Sequence, residues 1–168
     1  NFGVRRELTI AGVPVGAALL DDDPISEHFS TPPGAGSVIA VVATDAPLLP
    51  DQCDAFARRV TLGLARTGTA GSHFSGDLFI ALSVGNPGAF SRGADTLFGK
   101  GYGSYDDVRF GPWGHLDPYF DAVVQATEEA VLNSLVANEE MVGFRGHRSP
   151  ALPRDRVVEL LRDRGRIR

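Results

Sequence analysis

Residues 34–47 read GAGSVIAVVATDAP, and this stretch organises the rest of the chain. A loop of small residues runs into Ser37, which opens a short apolar run at residues 38–43. Because that run is rich in β-branched side chains, it predicts a buried β-strand. Ser37 therefore has two interpretations. It is either an ordinary residue at the start of a strand, or a nucleophile released by cutting the chain between Gly36 and Ser37.

Composition and charge exclude several classes of protein. The chain has 168 residues, of which 43% are apolar and 22% charged, as is typical of a single soluble globular domain. The formal net charge is -5, and the one basic cluster, at the C-terminal arginines, is interrupted by Asp163 and Gly165. A nucleic-acid partner needs a clustered basic face, and a membrane helix needs roughly 20 apolar residues. We therefore expect no nucleic-acid partner and no membrane partner.

Cys53 is the single cysteine of the chain, which excludes an internal disulfide and a cysteine-based metal site. Its place on the apolar face of a predicted helix indicates a small buried hydrophobic side chain. A single cysteine fits a cytoplasmic protein and is also compatible with the periplasm. The chain begins with Asn1 rather than Met, so we expect that an N-terminal part of the gene product precedes it.

Periodic apolar patterns predict the elements of the first half. A turn at residues 11–12 joins a short strand pair, and residues 20–36 form an exposed, mobile polar linker. An amphipathic helix begins at Pro50 and ends near Gly68. Residues 78–84 form a second buried strand. The alternation of strands and helices indicates an α/β or a layered α+β domain.

The second half opens with a stretch rich in glycine and aromatic residues, residues 85–114. A loop of this length inside a compact domain predicts a lid, a pocket wall or a subunit contact. A long helix follows, with Asp117 as its capping residue, Pro118 as its first helical residue and Gly143 as its end. A last helix is predicted at residues 154–164.

The histidines do not predict a metal site or a catalytic triad. They are scattered, with no helical i, i+4 pair and no cysteine partner, whereas a metal site needs convergent ligands. A Ser-His-Asp triad is possible on residue types alone, but no Gly-x-Ser-x-Gly turn is present to place its serine. The four positions are His28, His73, His115 and His147.

Ser37, Ser75 and Asp77 carry the chemistry of the catalytic interpretation. Residue types and spacing alone favour the structural one, in which Ser37 starts a strand and residues 75–77 form a turn before the next. If the chain is cut before Ser37, however, the new α-amine has an unperturbed pKa of about 7.7–8 and can act as base for its own hydroxyl. The cut can be self-catalysed, because the hydroxyl can attack the preceding carbonyl and the resulting ester can be hydrolysed. Ser75 and Asp77 would then orient the hydroxyl and the amine.

A resemblance to a known family favours the catalytic interpretation. It is most specific in residues 36–49, GSVIAVVATDAPLL. It continues in shorter segments at residues 1–3, 12–16, 57–59, 63–68, 75–79, 120–130 and 146–148. These segments resemble the DmpA-type aminopeptidases, the L-aminopeptidase/D-esterase family that includes the β-peptidyl aminopeptidases, peptidase family S58.

The resemblance implies an α+β fold class, a four-layer αββα sandwich like that of N-terminal nucleophile hydrolases. Residues 1–168 would form one domain of a larger precursor. Residues 1–36 would be the end of the α-subunit with a linker, and residues 37–168 the β-subunit. The implied partners are that α-subunit, further copies in a homotetramer of αβ units, and a small peptide, amide or ester whose N-terminal residue is released. No cofactor and no metal are implied.

The resemblance also implies the roles of individual residues. Ser37 matches the nucleophile, freed by cleavage of the Gly36-Ser37 bond, and Ser75 and Asp77 match the residues that support it. Asn1 matches an asparagine that helps to form the oxyanion hole. Asp77 departs from members of the family that carry Glu at this position. The alternatives are a hydrolase of the same fold that cuts internal amide bonds, and a relative that neither cleaves itself nor catalyses.

Overall fold

The computed structural model describes residues 3–22, 36–74, 76–89 and 107–168. Its strands and helices are, in chain order, β1 (Ile39–Thr44), α1 (Pro50–Arg66), β2 (Leu78–Ser83), α2 (Asp117–Ala137), β3 (Met141–Val142), β4 (Arg148–Ser149) and α3 (Arg154–Asp163). Short 3-10 turns lie at Arg5–Glu7, Val15–Ala18, Trp113–His115 and Phe144–Gly146. Most of the predicted linker and of the glycine-rich stretch falls outside the described residues.

β1 and β2 form a parallel pair, which confirms the two predicted strands. Their register runs from Ile39 opposite Leu78 to Thr44 opposite Ser83. A parallel pair needs a long crossover connection, and α1 lies between the two strands in the chain and packs on them. Both strands therefore begin at the same edge of the sheet. The residues just before β1 and just before β2 meet at that edge.

The main core lies between this sheet and the helices α1 and α2. Phe56, Val60 and Leu64 recur at helical spacing on one face of α1 and are buried, as the sequence pattern predicted. α2 contributes Val123 to the same cluster. Glycine at position 63 lets the two helices approach closely, since a Cβ there would lie 2.5 Å from the Cβ of Thr127.

A buried glutamine fixes the start of α1. Gln52 is fully buried, and its Oε1 accepts a hydrogen bond of 3.0 Å from the Leu49 N–H. Its Nε2 donates to the carbonyl oxygen of Gly111 at 2.7 Å. A buried amide must be satisfied in this way, because an unpaired polar group inside a protein is costly. Gln52 therefore ties the segment before α2 to the first turn of α1.

The prediction for α2 was wrong at both ends. Asp117 does not cap the helix, since it is the first helical residue and no side chain caps the preceding Leu116. The 3-10 turn Trp113–His115 runs directly into the helix, and its Trp113 carbonyl accepts from the Leu116 N–H. The Leu116 carbonyl in turn accepts from the Tyr119 and Phe120 N–H groups, and these backbone bonds stand in place of a side-chain cap. The helix ends at Ala137 rather than near Gly143 because the backbone of Asn138 is extended, with φ -68° and ψ 143°. β3 then begins a small antiparallel hairpin with β4.

Among the described residues, the two strands predicted to be buried are covered on one face only. Val42 and Phe79 are half-buried against the helical core, while the alternate residues point away from it. The described residues place helices on a single face of the sheet. The outward apolar side chains and their exposed fractions are Ile39 73%, Val41 60%, Leu78 64%, Ile80 50% and Leu82 49%.

The N-terminal segment forms a second, smaller core with α3. The predicted strand pair is a single bridge between Ile10 and Val13, closed by a turn in which Ala11 and Gly12 both have positive φ. Val13 and its neighbours pack against the apolar face of α3, which occurs where the sequence predicted the last helix. In the part of the chain described, no helix is long and apolar enough to cross a membrane.

Gly68, just after α1, is the glycine whose replacement should destabilise this fold most clearly. It has φ +101°, and a Cβ there would lie 1.7 Å from the carbonyl oxygen of Glu7. Gly71 is a matched control, since it has φ +81° and no atom within 4 Å of its would-be Cβ. We expect Gly71→Ala to lower the free energy of unfolding by about 1 kcal/mol through backbone strain alone. Gly68→Ala should lower it by about 3 kcal/mol or more, because the clash adds to the strain.

Urea-induced unfolding of the two variants measures this difference. Equal destabilisation of Gly68→Ala and Gly71→Ala would contradict the close approach of residue 68 to the N-terminal segment.

Candidate active site

The structure brings Ser37 and Asp77 together at the edge where the parallel strands begin. The Gly76 N–H donates a hydrogen bond of 2.9 Å to the Ser37 Oγ. The Val38 N–H donates to the Asp77 Oδ1 at 3.1 Å, and the Leu78 N–H donates to the Val38 carbonyl at 3.0 Å. Each segment therefore holds the other in place, next to the bond that joins Gly36 and Ser37.

The residues at this edge are accessible to solvent. Ser37 and Asp77 are half-buried, Gly76 is exposed, and Gly36 is half-buried. A cavity of 620 Å³ lies elsewhere, between the N-terminal segment and the helices α2 and α3, and neither Ser37 nor Asp77 lines it. The candidate nucleophile therefore sits on an open edge of the described chain, where a second surface can approach it.

Two of the predicted site residues, Ser75 and Asn1, lie outside the described residues. Their roles stay predictions. The structure places Ser37 and Asp77 at one edge of the sheet, and the catalytic roles of these two residues also stay predictions.

The described histidines His73 and His115 fall in different segments of the chain. His73 stacks on Phe74 in the loop before β2, with ring centroids 4.0 Å apart, and His115 lies in the 3-10 turn before α2. Among the described residues, no group of three His, Cys, Asp or Glu side chains is placed to hold a metal ion. Cys53 is partly buried against the main core, and this burial raises the pKa of its thiol.

Two ion pairs anchor the start of the predicted linker, and no sequence pattern indicated them. Asp21 and Asp22 were assigned to an exposed, mobile linker, but both make ion pairs with distant arginines. Both carboxylate oxygens of Asp21 accept hydrogen bonds of 2.8 Å from Arg156 on α3, and these bonds lower the pKa of Asp21. Asp22 pairs with Arg148 on β4. Partners more than a hundred residues apart leave no local pattern, so only the folded chain reveals them.

Comparison with known proteins agrees with this geometry. The family model described as Peptidase family S58 matches residues 1–149. The chain is 36% identical, over 99% of its length, to the beta-peptidyl aminopeptidase BapA of Sphingosinicella microcystinivorans. The corresponding protein of Sphingosinicella xenopeptidilytica is 32% identical over 98% of the chain. The chain spans 42% and 40% of the lengths of these two relatives.

Solved structures of aminopeptidases are also similar to this chain. One is the L-aminopeptidase D-Ala-esterase/amidase from Ochrobactrum anthropi, with 35% identity, a TM-score of 0.77, and 98% of this chain and 41% of that chain covered. It is described as a prototype for the serine aminopeptidases and as a new variant among the Ntn hydrolase fold. A β-aminopeptidase from a Burkholderia species is 37% identical, with a TM-score of 0.79, and 97% of this chain and 42% of that chain are covered. The predicted α+β fold class related to N-terminal nucleophile hydrolases is thus confirmed, and the chain belongs to peptidase family S58.

Proposed function

We propose that this chain carries the nucleophile of a self-processing serine aminopeptidase, which releases N-terminal residues from peptides, amides or esters. The observation that supports this best is the edge at which the Gly76 N–H meets the Ser37 Oγ while Asp77 holds the Val38 N–H. A serine that merely starts a strand needs neither contact. Membership of family S58 supports the same chemistry.

Self-cleavage would proceed through an ester. The Ser37 Oγ attacks the carbonyl carbon of Gly36, the bond from that carbon to the Ser37 nitrogen breaks, and the nitrogen takes up the hydroxyl proton. Water then hydrolyses the ester and restores the hydroxyl. The products are a carboxylate on Gly36 and a free α-amine on Ser37.

Turnover would use the new α-amine as the general base. It accepts the proton of the Ser37 hydroxyl while the Oγ attacks the substrate carbonyl, and the departing amine or alcohol takes that proton. Water hydrolyses the acyl-enzyme in the second half of the cycle. Amine and hydroxyl belong to one residue, so only the Ser37 side-chain rotamer and the adjoining backbone have to be held. The contact of the Val38 N–H with Asp77 fixes that backbone.

We propose that the exposed face of the sheet packs against other parts of a longer precursor, to complete the αββα sandwich. Apolar side chains such as Ile39 and Leu78 are more than half exposed on that face. Contiguous apolar surface of this kind marks an interface. Residues 3–22 would stay attached after the cut, because they hold the β-subunit through the α3 core and the ion pairs of Asp21 and Asp22. The homotetramer of αβ units stays a prediction.

The names of two relatives support a substrate class for this proposal, and matched compounds test it. One relative is called a beta-peptidyl aminopeptidase and another an L-aminopeptidase D-Ala-esterase/amidase. We expect the full-length protein to hydrolyse aminoacyl or β-aminoacyl p-nitroanilides with a free amine. The same compounds with an acetylated amine should be inert. Hydrolysis of the acetylated compounds would favour an enzyme that cuts internal amide bonds.

Asp77 is expected to position the nucleophile through the backbone of Val38. Asp77→Ala removes the acceptor of the Val38 N–H, and a small misplacement of a reacting group slows reactions by about 10²-fold. We expect Asp77→Ala to lower kcat by about this factor. Asp77→Asn, which keeps an acceptor oxygen and loses the charge, should be less impaired. Steady-state kinetics with an aminoacyl p-nitroanilide measures both variants, and full activity of Asp77→Ala would contradict the positioning role.

A further inference from the structure

The main-chain N–H of Gly76 is a polar group at the candidate site, where only side chains and the Ser37 α-amine have been given catalytic roles. Its N–H points at the Ser37 Oγ, 2.9 Å away. Among the described residues other than its chain neighbours, a Cβ built at Gly76 would come within 4 Å of the Ser37 Oγ alone, at the ordinary contact distance of 3.7 Å. The peptide at residue 76 therefore approaches the nucleophile closely, and a methyl group at this position would not clash with it.

The neighbouring contacts hold this amide at a fixed place. Asp77 accepts from the Val38 N–H, and the Leu78 N–H donates to the Val38 carbonyl, so the residues just after Gly76 are tied to the residue just after Ser37. The parallel register of β1 and β2 continues from there. A donor that is already in position loses no energy to reorganisation when charge develops.

We propose that the Gly76 amide is a catalytic hydrogen-bond donor to the Ser37 Oγ. This inference rests on the proposed function of Ser37 as the nucleophile. A hydrogen bond to the charged form of a group favours that form, so the amide stabilises negative charge on the Oγ. It acts on the nucleophile itself, whereas an oxyanion hole acts on the oxygen of the attacked carbonyl.

The amide contributes at two moments of each reaction. The first is the attack, when the hydroxyl proton moves to the base and the Oγ begins to bond to the carbonyl carbon. The second is the hydrolysis of the ester, when the bond from the carbonyl carbon to the Oγ breaks and the Oγ recovers a proton. The amide keeps its own proton throughout. Self-cleavage, amide hydrolysis and ester hydrolysis should all depend on it.

A matched pair of variants of the full-length protein tests the inference. Gly76→Pro removes the N–H, while Gly76→Ala keeps it, and Gly76 is not among the glycines with positive φ. Removal of one preorganised donor slows catalysis by about 10²–10³-fold. We expect Gly76→Pro to lose about 10²-fold in kcat with little change in KM, for a p-nitroanilide and for an ester alike. Gly76→Ala, which keeps the N–H, should lose at least tenfold less in kcat than Gly76→Pro. Equal kcat values for the two folded variants would overturn the inference.

Amide hydrogen exchange provides a second test that does not depend on the folding of the proline variant. Gly76 is exposed, so its exchange should accelerate in Ser37→Ala, where the acceptor oxygen is gone. We expect at least a tenfold increase, resolved by NMR with ¹³C-carbonyl serine and ¹⁵N-glycine labels, which select the Ser75-Gly76 pair of this chain. Unchanged exchange would overturn the inference alone. A wild type without self-cleavage or turnover would instead overturn the proposed function.

Discussion

The variant Ser37→Ala should lose self-cleavage and at least about 10⁴-fold in kcat/KM toward aminoacyl p-nitroanilides. Removing the nucleophile of a serine hydrolase has an effect of this size or larger, because no other group forms the acyl-enzyme. In the proposed mechanism the same oxygen is needed twice. It would cut the bond after Gly36, and it would then attack the substrate with the α-amine that this cut releases.

The matched control is Ser37→Thr, which keeps a hydroxyl at the same position and adds one methyl group. An N-terminal threonine is an effective nucleophile in other hydrolases, so this variant should retain cleavage and part of the turnover. Both variants should unfold like the wild type, because Ser37 is half-buried at an edge of the sheet. Activity of Ser37→Ala within tenfold of the wild type would contradict the role of Ser37.

The variant Phe56→Ala should show a large loss of stability, about 3–5 kcal/mol. Phe56 lies on α1 with 2% of its surface exposed, in the core between the helices and the sheet. Its ring meets the ring of Phe120 on α2 edge to face, with centroids 5.6 Å apart. Truncation leaves a cavity where α1 contacts both β1 and α2, so the edge that presents Ser37 should loosen with it.

Phe56→Leu is the control, since it keeps most of the apolar volume and should cost less than about 2 kcal/mol. Urea-induced unfolding, followed by circular dichroism, measures both variants. A loss below 1 kcal/mol for Phe56→Ala would show that this core does not hold the helices on the sheet.

Much of the fold could be predicted because the decisive patterns are local. The apolar runs that became β1 and β2, and the spacing of Phe56, Val60 and Leu64 on α1, depend only on neighbouring residues. The ends of α2 were predicted wrongly because a 3-10 turn took the place of a side-chain cap. The apolar runs predicted buried strands without revealing that the helices of this chain cover only one of their faces.

The candidate site could be predicted in part. The proposed chemistry and the family resemblance assigned Ser37 and Asp77 to one site, and the structure places both at the edge where the parallel strands begin. The Gly76 donor was not foreseen, because a backbone amide carries no signal of residue type. The anchoring of Asp21 and Asp22 by Arg156 and Arg148 also has no local pattern.

The intact mass of purified full-length wild-type protein is the measurement to make first. Self-processing predicts two chains, of which the second begins at Ser37. The masses of the two chains add up to the mass of the precursor plus one water molecule. The Ser37→Ala variant beside it should give one chain of the full mass. A single uncut chain from the wild type would contradict self-cleavage at Gly36-Ser37 and favour a relative that neither processes itself nor catalyses.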